Sequence, residues 1–275
     1  MKVTVHMNWH PQLADPTGSR NMKPRSTGKT MVIDKGLGLH TFEDLLHTSG
    51  EYIDIIKLGF GTSPLYPKPI LERKIQLARE NDICILPGGT FLESAICHDV
   101  TDAFFGMIAE LGFTGLEVSD GTIEMDRNLR NQLIMRGVKQ GFRVFTEYGK
   151  KTKGSSIHSK ELVDTVHIDT EYGAELVIIE GRESGKGVGI YDEQGDFEDG
   201  RILDLLKNIP NPSAIMWEAP LKDQQVHLIR LLGRDANLGN IAAGDLLSLE
   251  SLRRGLRSDT FSFANDVSHA SFDGI

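Results

Sequence analysis

The sequence predicts a single (β/α)8 barrel, an α/β fold, entered through an N-terminal arm. Three observations predict it. Short β-branched apolar runs recur about eight times at spacings of roughly 23 to 38 residues, the interval of strand-helix units. Each run gives way to charged or glycine-rich residues and then to an amphipathic segment. The 275 residues, 39% hydrophobic and 25% charged, suit one barrel of about 250 residues and show no break in composition between units. An open doubly wound sheet is the alternative, since periodicity alone does not close a barrel.

Residues 1–28 are polar, carry Pro11, Pro16 and Pro24, and become basic at Arg20, Lys23 and Arg25, so they are expected to form an arm before the domain. The barrel is expected over 29–263. Its strands fall at 30–33, 53–58, 83–86, 115–118, 143–146, 176–179, 214–217 and 240–243. Between them, Phe42, Leu45 and Leu46 recur at helical spacing, as do Ile70, Leu71, Lys74, Ile75 and Ala78, and Phe104, Phe105, Ile108 and Leu111 before Gly112. Leu129, Leu133, Ile134 and Val138 precede Gly141, and Leu203 and Leu206 precede Pro210. Residues 264–275 are expected to be a loose tail.

The stretch LVIIEGRESGKGVG, residues 176–189, joins a strand to chemistry. Its apolar run is too short for a helix face and lacks polar alternation, as in a parallel strand covered on both sides. Glu180 and Arg182 share a side if the extended geometry persists. Gly185, Gly187 and Gly189 let backbone N–H groups curl around an anion, with Arg182 and Lys186 adding positive charge, so a phosphate is expected here. A nucleotide P-loop is not, because the spacing is one residue short and no hydroxyl follows Lys186.

The residues ending each run carry the functional argument. They include Asp34 and Lys35; Lys57; Gly88 and Gly89; Glu117, Ser119 and Asp120; Glu147, Lys150 and Lys151; Glu180 and Arg182; Glu218; and Asp245. In a parallel barrel these termini converge on one face. Glu117, Glu147 and Glu180, from consecutive strands, are hard oxygen ligands suited to Mg2+, and salt bridges with nearby lysines are the alternative. Lys57 follows a mostly apolar stretch and could serve as a Schiff-base nucleophile or an anion clamp.

Other chemistries lack their signatures. A net charge of -9 argues against general nucleic-acid binding. No apolar run approaches a membrane span of about 20 residues, and no secretory signal is visible. Two cysteines in a chain of this length suggest a reducing, cytoplasmic setting. Cys97, His98 and Asp99 are adjacent but lack tetrahedral ligand spacing. Neither HExxH nor GxSxG occurs, and Trp217 is expected to pack against a helix.

The strings MVIDKGLG, YIDIIKLGFGTS, PGGT, LEVSDGT, TEYGKK, VIIEGRESGKG, WEAP, NLGNI and LESLRRGLRSDTF occur in order from residue 31 to 261. In these the chain resembles the phosphosulfolactate synthase family. The resemblance implies a (β/α)8 barrel lyase that adds sulfite to phosphoenolpyruvate with Mg2+, giving 2-phospho-3-sulfolactate, a step toward coenzyme M in methanogens. On that basis Glu117, Glu147 and Glu180 are assigned to the metal, with a Mg2+-stabilised enolate as the expected intermediate. Lys150 or Lys151 is assigned to its protonation; strand parity with Glu147 favours Lys151, and Gly149 could break that parity. Arg182, Ser184 and Lys186 are assigned to the phosphate. Lys35 and Lys57 would hold sulfite and carboxylate, oriented by Asp34 and Glu218. Small-molecule substrates are the expected partners, without nucleic acid or membrane, in a homo-oligomer. Two alternatives are a Schiff-base aldolase using Lys57 or Lys151 and a non-catalytic barrel associated with stress.

Overall fold

The computed structural model describes residues 9–262 except 153, 156 and 198, so residues 1–8 of the expected arm and the whole expected tail lie outside the described residues. Eight parallel strands follow the order β3-β2-β1-β8-β7-β6-β5-β4. They are β1 (Thr30–Asp34), β2 (Ile55–Leu58), β3 (Cys84–Pro87), β4 (Gly115–Val118), β5 (Arg143–Tyr148), β6 (Leu176–Ile179), β7 (Ile215–Glu218) and β8 (Asn237–Ala242). The two ends of that order meet where the Thr114 N–H donates to the Ile85 carbonyl at 3.1 Å, so the barrel is nearly closed.

Helices return the chain from strand to strand: α2 (Leu39–Ser49), α3 (Lys68–Glu80), then both α4 (Gly89–Cys97) and α5 (Thr101–Leu111) between β3 and β4. They continue with α6 (Arg127–Lys139), α7 (Ser159–Glu171), α8 (Asp199–Lys207), α9 (Lys222–Leu232) and α10 (Leu246–Arg253), while α1 (Pro11–Ala14) precedes the barrel. Local signals set the limits. α5 stops at Gly112, whose φ of 85° is left-handed, and α6 starts where the Asp126 side chain accepts the Leu129 N–H at 2.8 Å.

Strand alternation divides the core in two. Val32, Ile56, Ile85, Leu116, Val144, Val177 and Trp217 pack outward in the core shared with the helices. Met31, Ile55, Cys84, Leu86, Phe145, Leu176, Ile178 and Met216 form a separate core inside the barrel. Because side chains repeat every second residue, the step after Ile55, Phe145, Ile178 and Met216 is Lys57, Glu147, Glu180 and Glu218. The inner core therefore ends in charge at the C-terminal ends of the strands.

Several strand limits shift by one to three residues from the apolar pattern, and the starts of β2 and β8 do so for polar reasons. β2 begins at Ile55 because Asp54 is occupied at the strand's foot, accepting Arg25 Nε at 3.0 Å and the Thr30 N–H at 2.8 Å. β8 begins at Asn237, whose amide bonds the carbonyls of Ser213 and Ile215 and whose oxygen accepts the Lys29 N–H. The described part of the expected arm lies along this lower face. Arg20 pairs with Glu250 at 3.1 Å and Arg25 with Asp54, and just beyond the arm Lys29 pairs with Glu175 at 2.6 Å.

Candidate active site

At the C-terminal ends of the strands, Lys57 from β2 is enclosed by carboxylates. Its ammonium lies 3.0 Å from Glu117, 2.9 Å from Glu218 and 3.7 Å from Glu147. Burial favours the neutral amine, but Glu117, Glu218 and Glu147 outweigh it and hold Lys57 well above its usual range. Lys151 is the second cation, 2.9 Å from Glu147, 3.8 Å from Glu180 and 3.9 Å from Glu93. Its burial is likewise outweighed, by Glu147 and Glu180, and it too is held above its usual range. Neither lysine is poised as a free-amine nucleophile, which opposes the Schiff-base reading of both.

The carboxylates outnumber these cations. Glu93, Glu117, Glu147, Glu180 and Glu218 are each buried and lie within 4 Å of Lys57 or Lys151. Backbone groups aim several of them: the Gly89 N–H donates to Glu117 at 2.8 Å, the Gly181 N–H to Glu218 at 3.0 Å and the Arg182 N–H to Glu180 at 2.6 Å. Gly89 can lie this close only because it has no side chain, since a Cβ there would sit 2.7 Å from Glu117 Oε1.

Within this cluster Glu147, Glu180 and Glu218 each offer an oxygen within 4.8 Å of the others. Burial pushes Glu180 well above the usual carboxylate range, with Glu147 and Glu218 adding like charge. Glu147, although buried, is held down to about 2 by Lys151 and Lys57. Glu180 Oε2 is buried without a hydrogen-bond donor among the described residues. A hard divalent cation fits three convergent carboxylates with an unsatisfied buried oxygen, because it removes the mutual repulsion and supplies the missing partner. Glu117, expected in the metal set, instead bridges Lys57 and the start of α4; Glu218, expected to orient substrate, is the third member of the triangle.

The other expected residues separate clearly. Lys151 enters the cluster, whereas Lys150 turns away to the carbonyls of Asp120 and Ile123 at 2.8 and 2.9 Å. Gly149, with φ 127°, makes the turn, and a Cβ there would meet the Glu180 Cβ at 2.8 Å. Asp34 is buried in a pair with Lys74 and accepts the N–H groups of Gly36 and Leu37, fixing the loop that carries exposed Lys35. Arg182, half-buried with φ 58°, reaches the Lys151 carbonyl at 3.3 Å, while Ser184 and Lys186 are exposed on the same loop. Gln224 of α9 anchors that loop by donating to the Gly185 and Gly195 carbonyls.

Two residues facing Lys151 are absent from the sequence reading, Thr90 and Glu93 on α4. Lys151 Nζ donates to Thr90 Oγ1 at 3.1 Å, and the buried Glu93 carboxylate accepts from Ser119 Oγ, the Gly121 N–H and the Thr122 N–H. Their i, i+3 spacing was the available signal, together with a Gly-Gly entry into the helix.

Residues 18–259 match the model of the (2R)-phospho-3-sulfolactate synthase (ComA) family. The chain belongs to that family. It is 40% identical over 251 residues to the phosphosulfolactate synthase of Methanothermobacter thermautotrophicus, covering 90% of this chain and 97% of that one. The phosphosulfolactate synthase of Bacillus subtilis is 36% identical over 244 residues, covering 88% and 95%. Among solved structures, the YdjI aldolase of Escherichia coli K12 superposes with a TM-score of 0.52 at 12% identity, covering 90% of this chain and 93% of that one, a likeness of fold alone.

Proposed function

We propose that the chain is a phosphosulfolactate synthase that joins sulfite to phosphoenolpyruvate, with Glu147, Glu180 and Glu218 holding Mg2+ and Lys151 donating the proton. The observation that carries this is Lys151 Nζ, 2.9 Å from Glu147 and 3.8 Å from Glu180, beside the three convergent carboxylates. Bound there, Mg2+ would supply Lewis acidity toward substrate oxygens.

In the addition, the sulfite sulfur lone pair forms a bond to the methylene carbon of phosphoenolpyruvate, and the double-bond electrons move toward C2 and the carboxylate. A proton on C2 completes 2-phospho-3-sulfolactate, and Lys151, charged and held by Glu147, is the group that carries one. Neutralising the carboxylates around Lys151 makes that proton easier to release. Lys57 stays charged among Glu117, Glu147 and Glu218 and offsets part of their repulsion. Arg182 and the exposed Lys186 give the 181–189 loop the positive charge a phosphate requires.

The test is thermal melting of the purified protein with phosphoenolpyruvate, with and without Mg2+, followed by sulfite-dependent loss of phosphoenolpyruvate absorbance. Ligands of the folded state raise the melting point. A Mg2+-dependent rise with turnover is expected; no rise at saturating ligand would refute the assignment.

A further inference from the structure

We propose that Glu93, on α4, is a positioning residue that fixes where the Lys151 ammonium sits in the cluster. The inference rests on the reading of Lys151 as the proton donor and assigns α4 the part of its geometry that the strands do not supply.

Glu93 is 1% exposed. Its carboxylate gathers the loop after β4: Oε1 accepts the Ser119 hydroxyl and the Gly121 N–H, the latter at 3.1 Å, and Oε2 accepts the Thr122 N–H at 3.0 Å. That loop then holds Lys151, because the Gly121 carbonyl accepts the Lys151 N–H at 3.0 Å. The same carboxylate lies 3.9 Å from Lys151 Nζ. Thr90, three residues earlier on the same helix face, accepts from Nζ at 3.1 Å. α4 thus grips Lys151 at both ends, by its backbone through Gly121 and at its ammonium through Thr90 and Glu93.

This arrangement meets a specific need. Lys151 follows Gly149, so β5 no longer dictates its direction, and a lysine has four rotatable bonds to fix. Glu147 and Glu180 attract the ammonium from one side, into the carboxylate triangle. Glu93 and Thr90 attract it from α4, so the ammonium is suspended between helix and strands. A glutamine at 93 keeps one acceptor oxygen, but its amide N–H groups would face a donor, and the charge facing Nζ is lost.

The experiment is a double-mutant cycle on kcat, with melting curves for every variant. Glu93→Gln is expected to lower kcat by about 10- to 100-fold, the usual range for a residue acting behind a functional group. The KM for phosphoenolpyruvate is expected to move by less than about threefold, since transition-state rather than ground-state contacts are lost. Placed in a Lys151→Met background, Glu93→Gln should lower kcat no further. Thr90→Val, which leaves the Glu93 hydrogen bonds in place, should lower kcat by a smaller factor that Thr90→Ser restores. Wild-type kcat in folded Glu93→Gln would overturn the proposal, as would a loss that multiplies with that of Lys151→Met. If Glu93→Gln does not fold, wild-type kcat in Thr90→Val overturns it instead. Unchanged kcat in Lys151→Met alone would overturn it at its foundation and identify the proton-donor reading as the fault.

Discussion

The two ends of the barrel are both rich in buried charge, but they use it differently. At the N-terminal ends of the strands each carboxylate that joins arm and core holds one or two cations: Arg25 with Asp54, Arg20 with Glu250, and Lys29 and Arg143 with Glu175. Asp54 also accepts a backbone N–H, so both of its oxygens are used. At the C-terminal ends, five carboxylates face two lysines, and Glu180 is pushed up by burial and like charge. A fold gains nothing from leaving such a cluster undercompensated, whereas a site for a cation and anionic substrates needs it. Carboxylates that each hold a cation read as stability, and carboxylates in excess of cations read as function.

Changes at each end should break this comparison differently. The largest effect is expected from Lys151→Met, which should lower kcat per folded molecule by about 10^2- to 10^4-fold, the span of general acid catalysis, beyond whatever it costs in melting point. Asp54→Ala should do the reverse. It leaves Arg25 buried and unpaired, costing about 3–5 kcal/mol of stability in denaturant unfolding, with kcat per folded molecule unchanged.

Glu180→Gln sharpens the contrast through pH. Its raised pKa means that the folded state binds a proton more tightly than the unfolded chain, so its stabilising contribution is complete below the ordinary value of 4.5 and is lost as pH rises through the folded value. Glu147 has the opposite sign: its contribution is present above 4.5 and is lost as pH falls toward about 2. In chelator at pH 8, Glu180→Gln should therefore melt above the wild type, by about 2–4 °C for each kcal/mol relieved. That advantage should vanish as pH falls toward 5. The smallest effect is expected from Lys150→Met, within about twofold in kcat, because that partly exposed side chain turns to loop carbonyls away from the cluster.

Much of this was legible in the sequence. The barrel followed from recurring apolar runs, and the convergence of Glu117, Glu147, Glu180, Glu218 and Lys57 followed from their places at the ends of parallel strands, which meet on one face of a barrel. What escaped depended on curvature and on helices. Consecutive strands suggested Glu117 for the metal set, but ring geometry brings Glu218 to Glu147 and Glu180. The choice between Lys150 and Lys151 turned on the backbone at Gly149, whose φ of 127° is not written in its neighbours. Asp34 looked available at a strand end until Lys74, spaced like a core residue of α3, proved to be buried against it. Glu93 escaped because a glutamate on a helix ordinarily faces water.

The most direct test of the account is calorimetric titration of Mg2+ into chelator-stripped protein in the presence of phosphoenolpyruvate, comparing wild type with Glu180→Gln. The account predicts saturable binding by the wild type, weakened at least about tenfold when one of the three carboxylates is neutralised. Equal Mg2+ affinity in both proteins, or none in the wild type, would contradict the placement of a cation among Glu147, Glu180 and Glu218.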